Sequence, residues 1–337
     1  MTAIPQVATT VFGAGAWGTA LATLLAGNGQ PVCLWGRNAG HLQEMADSRV
    51  NSHYLPGVVL SESLRFESDL AVAVASAQDL LLVVPSHAFR HTLEAIKPYV
   101  SESNRLIWAS KGFEQETGRL LHQVAEDVLG ATCPIAVITG PTFALEVAKG
   151  LPTALTVAST HQAFAAEIAT RLHNDTFRAY TSFDVPGVEV GGAVKNILAI
   201  AAGISDGLGF GANARAALIT RGLTEVMRLG EALGGQKETL MGLAGLGDLL
   251  LTCTDDQSRN RRFGLALGRG QSISEARASI NQVVEGIDAA REVHRLAESL
   301  AIEMPITDQV YRVLFDQCPP REAVHHLLTR QQKAESA

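Results

Sequence analysis

Lys195 has an unusual setting for a charged residue. The segment around it, VGGAVKNILAIAA over residues 190–202, is small or apolar apart from Lys195 and Asn196. Burial among such neighbours disfavours the ammonium form and lowers the pKa of the amine toward the range useful for general acid–base catalysis. Reduction of a ketone by hydride needs a proton for the developing alkoxide, which this lysine can donate, while Asn196 can orient the lysine or the substrate oxygen. The alternative is a lysine that snorkels to the surface.

Two further residues can act with this lysine. Lys111 directly follows a predicted strand, and the carboxyl edge of an open α/β sheet is where ligands bind. Its alternative role is a solvent-facing charge. Asp248 follows the glycine-rich GLAGLG. It is placed either to cap a helix or to pair with a buried lysine and hold it in position.

A basic block, SRNRR, precedes the apolar run Phe263–Leu267. Ser258, Arg259 and Asn260 can bring hydroxyl, guanidinium, amide and helix-start N–H groups to one anion, for which phosphate is a natural guest. The alternative is an ordinary polar helix face.

The N-terminal glycines form a G-x-G-x-x-G pattern, GAGAWG, at Gly13, Gly15 and Gly18. The pattern follows the predicted strand Val7–Phe12 and opens the predicted helix Trp17–Ala26, which is the context of a dinucleotide-binding fingerprint. The alternative is a purely structural turn.

The second predicted strand ends near Arg37, where an NAD-selective enzyme often carries Asp or Glu. A guanidinium accepts a 2′-phosphate, so we expect NADP or NAD as cofactor, with NADPH preferred for reduction. The alternative is a surface arginine at the end of a strand.

The elements that position these residues divide the chain into two parts. Short apolar runs alternate with helical periodicity up to about residue 180, which predicts an α/β Rossmann domain with a doubly wound, mainly parallel sheet over residues 1–187. From Gly191 onward the periodicity is helical throughout, so residues 188–337 are expected to form an all-helical substrate-binding and catalytic domain. A hinge is predicted at 185–187, where Pro and Gly would interrupt a helix. The predicted strands are Val7–Phe12, Val32–Trp35, Leu80–Val84, Leu106–Ala109, Ile135–Ile138, Ala154–Val157 and Thr176–Ala179.

Composition narrows the class of protein. The formal charge of −7 argues against a nucleic-acid binder. The 4 cysteines show no metal-ligand spacing, so no metal site is expected and a reducing cytoplasm fits best. We expect no signal peptide, no membrane insertion, and no apolar run of the roughly 18 residues that a membrane span requires. A polar tail is expected at residues 331–337.

The chain resembles the bacterial-type NAD(P)-dependent glycerol-3-phosphate dehydrogenases over nearly its full length. The shared blocks are GAGAWG (13–18), YLPG (54–57), SKGFE (110–114), TGPTFALEVAKG (139–150), GGAVKNILAIAAGISDGLGFGANARAALITRG (191–222), GLAGLGDLLLTC (242–253), SRNRRFG (258–264) and VVEG (283–286).

The resemblance implies reversible reduction of dihydroxyacetone phosphate to sn-glycerol 3-phosphate for glycerophospholipid synthesis. It also implies a Rossmann domain followed by a helical domain of the 6-phosphogluconate-dehydrogenase-like type, and by analogy the apolar C-terminal helices favour a homodimer. It makes Lys195 the proton donor or acceptor. The implied substrate residues are Lys111, Gly140, Thr142, Asp248, Ser258, Arg259 and Asn260, and the implied cofactor residues are Ala16, Trp17, Arg37, His53, Lys111, Ala144, Arg259, Val283 and Glu285.

Two other functions remain open at this point. One is a related two-domain dehydrogenase that acts on a 3-hydroxy acid such as 6-phosphogluconate, because fold does not fix function. The other is a non-catalytic regulator that senses NAD(P), against which the buried amine of Lys195 counts.

Overall fold

The computed structural model describes residues 6–280 and 282–331 and contains an eight-stranded sheet. Its strand order is β10-β9-β8-β7-β6-β1-β2-β5, and every neighbouring pair is parallel except β8 and β9. A small antiparallel hairpin, β3 with β4, lies outside this sheet. The strands are β1 (Val7–Phe12), β2 (Val32–Trp35), β3 (Val50–Asn51), β4 (Leu55–Val59), β5 (Arg65–Glu67), β6 (Ala77–Leu82), β7 (Arg105–Trp108), β8 (Ile135–Thr139), β9 (Thr153–Ala158) and β10 (Phe177–Ser182).

Helices flank the sheet and then make up the rest of the described chain. The predicted α/β fold with a mainly parallel sheet and a helical C-terminal part is therefore confirmed. The helices are α1 (Ala16–Gly27), α2 (Ala39–Ser48), α3 (Leu70–Ala75), α4 (Ser86–Ile96), α5 (Leu121–Leu129), α6 (Ala144–Ala148), α7 (Gln162–Leu172), α8 (Val185–Gly207), α9 (Ala212–Ala232), α10 (Lys237–Leu240), α11 (Asp248–Thr254), α12 (Arg259–Gly268), α13 (Ile273–Ala278), α14 (Glu285–Ser299), α15 (Pro305–Phe315) and α16 (Pro320–Leu328).

All seven predicted strands are present, with ends shifted by up to three residues. The apolar runs of the six strands other than β10 are mostly buried, which is typical of strands covered on both faces, whereas β10, at the edge of the sheet, leaves Tyr180 exposed. Three strands, β3, β4 and β5, were not predicted from the sequence, because strands this short show too little alternation of apolar and polar residues. Most of the predicted polar tail, residues 332–337, lies outside the described residues.

The predicted hinge at 185–187 is wrong. Helix α8 runs unbroken from Val185 to Gly207, and Pro186 lies in its first turn, where a missing N–H removes no helical hydrogen bond. The Asp184 carboxylate caps this start by accepting a hydrogen bond from the Gly187 N–H at 2.9 Å. The proposed domain boundary near residue 187 remains a prediction.

Helix α8 is the centre of the helical part. By length and composition it could cross a membrane, contrary to our expectation that no segment would qualify, but its entire apolar window is buried inside the protein. Small residues let α12 pack against it at backbone distance. A Cβ on Gly203 would lie 2.1 Å from the Arg261 carbonyl oxygen, and one on Gly264 would lie 2.1 Å from the Ile200 carbonyl oxygen. The small residues of this segment thus serve close helix packing.

The two parts of the chain interlock. Phe113 and Leu120, which follow β7 in sequence, are buried in the apolar core of the helical part. In return, Val185, Val188 and Ala244 from the helical part belong to the core beneath the sheet. This packing brings the carboxyl edge of the sheet against α8 and α11, and thereby positions the site described next.

Candidate active site

A buried carboxylate lies between two lysines. The Lys195 ammonium, in the middle of α8, donates a hydrogen bond to one oxygen of Asp248, and the Lys111 ammonium, just after β7, donates to the other oxygen at 2.6 Å. Asp248 is 1% exposed and Lys195 is 7% exposed, so water screens the three charges only weakly. The structure therefore brings together the three predicted catalytic residues, and the surface-snorkelling alternative for Lys195 is wrong.

The position of Asp248 depends on the turn before it. Residues Leu243–Gly247 form a single π-helical turn, and Asp248 is the first residue of α11. Its alternative role as a helix N-cap is wrong, because Gly247 occupies the cap position and the carboxylate points to the lysines. Gly191 allows this turn to approach α8, since a Cβ there would lie 2.4 Å from the Ala244 carbonyl oxygen.

Burial and neighbouring charges shift the pKa of the Lys195 amine. Burial, which is the largest cause, and the nearby Lys111 ammonium lower its pKa, while the Asp248 carboxylate opposes them; the net result is a pKa of about 8 instead of 10.5. The apolar setting predicted this direction. An amine with this pKa can exist in either protonation state near neutral pH, which suits a group that donates a proton in one direction and accepts it in the other.

The hydroxyl of Thr252 also belongs to this centre and was not predicted from the sequence. The Thr252 hydroxyl oxygen accepts a hydrogen bond from the Lys195 ammonium at 3.1 Å and donates to the Asp248 main-chain oxygen at 2.6 Å. Thr252 lies four residues after Asp248, on the same face of α11. That spacing was the available signal, but an i,i+4 threonine also occurs often as a helix back-bonder.

Gly140 and Thr142 lie at the end of β8, beside Lys111. The Gly140 carbonyl accepts from the Lys111 ammonium at 3.3 Å and from the Thr142 hydroxyl at 3.2 Å. Gly140 has φ = 157°, and a Cβ there would lie 2.8 Å from the Cα of Leu155. Glycine is required here because the chain turns out of β8 against β9.

A second group of predicted residues lies where α8, α12 and α14 meet. The Asn260 amide nitrogen donates to the Asn196 side-chain oxygen at 2.9 Å, and the Asn196 amide nitrogen lies 3.4 Å from a Glu285 carboxylate oxygen. Ser258 caps α12 by accepting from the Arg261 N–H at 3.2 Å. The hydroxyl of Ser258 is therefore engaged in helix capping, while the N-terminus of α12 lies beside Asn196.

Arg259 and Val283 lie at the rim of this group. The Arg259 guanidinium donates to the Gln282 side-chain oxygen at 3.2 Å, and Val283 is 46% exposed. Val283 and Glu285 could not have been selected from chemistry or periodicity; only the family resemblance indicated them.

The glycine turn after β1 fits a dinucleotide pyrophosphate. Gly13 has φ = 125°, and a Cβ on Gly18 would lie 1.9 Å from the Gly13 carbonyl oxygen, so both positions exclude side chains. A Cβ on Gly15 would meet nothing within 4 Å. Gly15 is also the N-cap of α1, where no side chain accepts from the first-turn N–H groups. These donors and the open space in front of Gly15 are what an anion needs at a helix start.

Ala16 and Trp17 form the first turn of α1. Helix α6, which begins at Ala144, packs against α1, and Trp17 and Ala144 contact the same apolar core. The structure thus brings Ala16, Trp17 and Ala144 together beside the glycine turn.

Arg37 and His53 lie apart from the lysine pair. Arg37 is exposed just after β2, and it forms no hydrogen bond or ion pair within residues 6–280 and 282–331. Strands β2 and β7 are three positions apart in the sheet, which corresponds to roughly 15 Å. His53 lies in the turn between β3 and β4, with its ring centroid 4.3 Å from that of Tyr54, and lines a cavity of about 260 Å³. Arg37 and His53 therefore do not belong to the cluster formed by Lys195, Asp248 and Lys111.

Comparison with known proteins matches both parts of the chain to one family. Residues 8–165 match the family model described as the N-terminus of NAD-dependent glycerol-3-phosphate dehydrogenase, and residues 184–325 match the corresponding C-terminus. The glycerol-3-phosphate dehydrogenase [NAD(P)+] of Aeromonas salmonicida is 55% identical over 98% of this chain and 99% of its own length. That of Photobacterium profundum is 54% identical over 97% of both chains. A crystal structure of glycerol-3-phosphate dehydrogenase from Coxiella burnetii superposes with a TM-score of 0.93 at 50% identity, covering 96% of this chain and 99% of that one.

Proposed function

The chain belongs to the NAD-dependent glycerol-3-phosphate dehydrogenase family, and from this we propose that it reversibly reduces dihydroxyacetone phosphate to sn-glycerol 3-phosphate. The reductant is NADH or NADPH, and the product supplies glycerophospholipid synthesis. The observation that carries this proposal is the buried Lys195, held by Asp248 beside the carboxyl edge of a sheet that also carries the dinucleotide fingerprint.

The residues on the cofactor side of the site bind and orient the nicotinamide cofactor. When bound, the nicotinamide cofactor supplies the hydride for the carbonyl carbon. The first-turn N–H groups at Ala16 and Trp17 hold its pyrophosphate against Gly13, Gly15 and Gly18, and Ala144 lies beside them. His53, Val283 and Glu285 complete the binding surface, with Lys111 and Arg259 placed to serve both ligands.

Lys195 is the proton donor in reduction and the acceptor in oxidation. Its ammonium stabilises the negative charge that develops on the carbonyl oxygen, and then transfers a proton to that oxygen. Asp248 fixes the ammonium in place, and Lys111 adds a second positive charge at the same carboxylate. Gly140 and Thr142 hold the Lys111 side of the substrate pocket, and Asn196 adds a neutral donor beside Lys195.

The start of α12 is the proposed phosphate site. Ser258 caps this helix, and the N-terminus of a helix favours an anion through its free N–H groups and its dipole. The Arg259 guanidinium and the Asn260 backbone are at this end, next to Asn196 on α8. This arrangement favours a phosphorylated substrate over an unphosphorylated hydroxy acid.

Arg37 supports a preference for NADPH over NADH in reduction. The guanidinium is exposed after β2 without a partner among the described residues, and so can pair with a 2′-phosphate. We further propose that the Rossmann domain spans residues 1–187 and the helical domain residues 188–337. The protein is proposed to act in the cytoplasm as a homodimer, without membrane insertion and without nucleic-acid partners.

A substrate panel tests the proposed function. Oxidation of NADPH and NADH is followed at 340 nm with dihydroxyacetone phosphate and, in the reverse direction, reduction of NADP and NAD with sn-glycerol 3-phosphate or 6-phosphogluconate. We expect turnover with the two three-carbon phosphates and faster reduction with NADPH. Turnover restricted to 6-phosphogluconate would contradict the assigned substrate. Cofactor binding without turnover of any of these compounds would favour a sensor.

A further inference from the structure

A directional chain of hydrogen bonds crosses the junction of α8, α12 and α14. The Gly286 N–H donates to the Asn260 side-chain oxygen at 2.9 Å. The Asn260 amide nitrogen donates in turn to the Asn196 side-chain oxygen at 2.9 Å, and the Asn196 amide nitrogen approaches Glu285 at 3.4 Å. Asn196 and Asn260 are 4% and 8% exposed, so water does not readily substitute for these partners.

The donor-to-acceptor direction of these hydrogen bonds is fixed at both ends of the series. A backbone N–H only donates, so Asn260 must turn its oxygen toward Gly286 and its NH₂ group toward Asn196. Asn196 must then accept with its oxygen and turn its own NH₂ group away from Asn260. An ionised Glu285 only accepts, which agrees with this direction. The amide orientation of Asn196 thus follows from its partners.

Close packing keeps the first donor in place. A Cβ on Gly286 would lie 2.7 Å from the Asn196 carbonyl oxygen and 2.8 Å from the Asn260 side-chain oxygen. Only glycine allows α14 to begin this near α8. The VVEG segment therefore contributes a backbone donor to the junction as well as the carboxylate of Glu285.

We propose that the side chain of Asn260 is a positioning group, which sets the amide of Asn196 so that one N–H of its NH₂ group points to Glu285 and the other is available to the substrate oxygen beside Lys195. The two polar groups of the Asn260 side chain are engaged with Gly286 and Asn196, and its backbone at the start of α12 remains for the phosphate. This inference rests on the proposed function and assigns separate tasks to the backbone and the side chain of one residue.

The variant Asn260→Asp tests this positioning role most stringently. The carboxylate still accepts from Gly286 but cannot donate to Asn196, so Asn196 must rotate its amide and turn its oxygen toward the substrate. Asn260→Ala leaves Asn196 without a fixed orientation. We therefore expect kcat at pH 8 to fall several-fold in Asn260→Ala and roughly 10- to 100-fold in the isosteric Asn260→Asp, approaching the loss typical of one oxyanion donor. KM for dihydroxyacetone phosphate should change less than kcat, because the backbone N–H remains.

Protonation of the carboxyl group introduced by Asn260→Asp should partly restore the chain of hydrogen bonds, since a carboxylic acid carries both a donor and an acceptor. Burial at this position and the Glu285 carboxylate on α14 favour the protonated form, whereas Arg259 and Arg261, which flank it on α12, and Lys195, next to Asn196 on α8, oppose it. We compare each variant with wild type from pH 8 to pH 6 and expect the deficit of Asn260→Asp to shrink as the pH falls. Arg262→Gln, at an exposed position of the same helix, is the matched control and should behave like wild type.

Thermal unfolding gives a readout that needs no turnover. At pH 8 the melting temperature of Asn260→Asp should be below that of Asn260→Ala, and the difference should shrink toward pH 6. The inference is overturned if Asn260→Asp is the milder variant in kcat and melting temperature at every pH, or if both variants raise KM with kcat unchanged. If the two variants show the expected melting order but the wild-type protein shows no turnover, the proposed function is refuted and the hydrogen-bond chain remains supported.

Discussion

Lys195 carries an ammonium that its surroundings destabilise, so the rate of reduction should depend on pH through this residue. Burial and the neighbouring Lys111 bring its pKa to about 8 against the ordinary 10.5, although Asp248 opposes them. That difference corresponds to roughly 3 kcal/mol against the ammonium form. About nine-tenths of the free enzyme then carries the proton at pH 7, and about one-tenth carries it at pH 9.

Reduction requires the protonated amine, so kcat/KM for dihydroxyacetone phosphate should be level below pH 7 and fall about tenfold per pH unit above pH 8. Oxidation of sn-glycerol 3-phosphate requires the neutral amine and should rise over the same range. The assay is initial velocity at 340 nm in both directions across pH 6 to 10, at saturating cofactor. A reductive rate that stays level through pH 9.5 would refute the role of Lys195 as proton donor.

Asp248→Asn tests the electrostatic part of this reasoning. Loss of the carboxylate removes the one charge that raises the pKa of Lys195, while burial and Lys111 continue to lower it. The midpoint of the reductive profile should therefore move below pH 8, together with a lower maximal rate. Asp175→Asn, at an exposed turn, is the control and should leave the midpoint in place. A midpoint that stays or rises in Asp248→Asn contradicts the assigned charge balance.

Three further outcomes are expected. The melting temperature of wild type relative to Lys195→Met should rise as the pH increases from 8 toward 10.5, because the penalty for the buried ammonium is present below pH 8 and is relieved over this range; a difference that does not change with pH would contradict this. Arg37→Ala should raise KM for NADPH about 10- to 100-fold with little change for NADH, since a charge-assisted hydrogen bond contributes about 1.5–3 kcal/mol; parallel changes for both cofactors would argue against a 2′-phosphate contact. Gly203→Ala should cost about 1–3 kcal/mol in urea unfolding because its Cβ would lie 2.1 Å from the Arg261 oxygen, whereas Gly27→Ala, with open space around it, should cost less than 1 kcal/mol.

The sequence predicted the elements whose pattern is strong. The strand before the glycine turn and the strand before Arg37 have the observed ends, because apolar runs bounded by turn residues leave little choice. The hairpin that contains His53 was missed, since its first strand has two residues and its role depends on tertiary contacts. Among these is the Asn51 side chain, which donates to the Ala14 carbonyl at 3.1 Å.

The sequence indicated which residues belong to the site better than it indicated how they are arranged. A lone lysine in an apolar helix indicated a buried amine, and Asp248 was a reasonable partner. The engagement of one carboxylate by Lys195 and Lys111 together depends on the π-helical turn before α11, which no periodicity reveals. The predicted hinge failed for a related reason, because Pro186 lies in the first turn of a helix capped by Asp184. The orientation of Asn196 is set by residues from two other helices, which sequence spacing does not show.

The most direct measurement compares wild type, Lys195→Ala and Lys149→Ala in NADPH oxidation at 340 nm with dihydroxyacetone phosphate, with product identified as sn-glycerol 3-phosphate. Lys149 is exposed at the end of α6 and serves as the matched lysine control. We expect kcat/KM to fall on the order of 10²- to 10⁴-fold in Lys195→Ala, the usual contribution of a positioned acid, and to stay near wild type in Lys149→Ala. Near-normal turnover by a folded Lys195→Ala protein would contradict it.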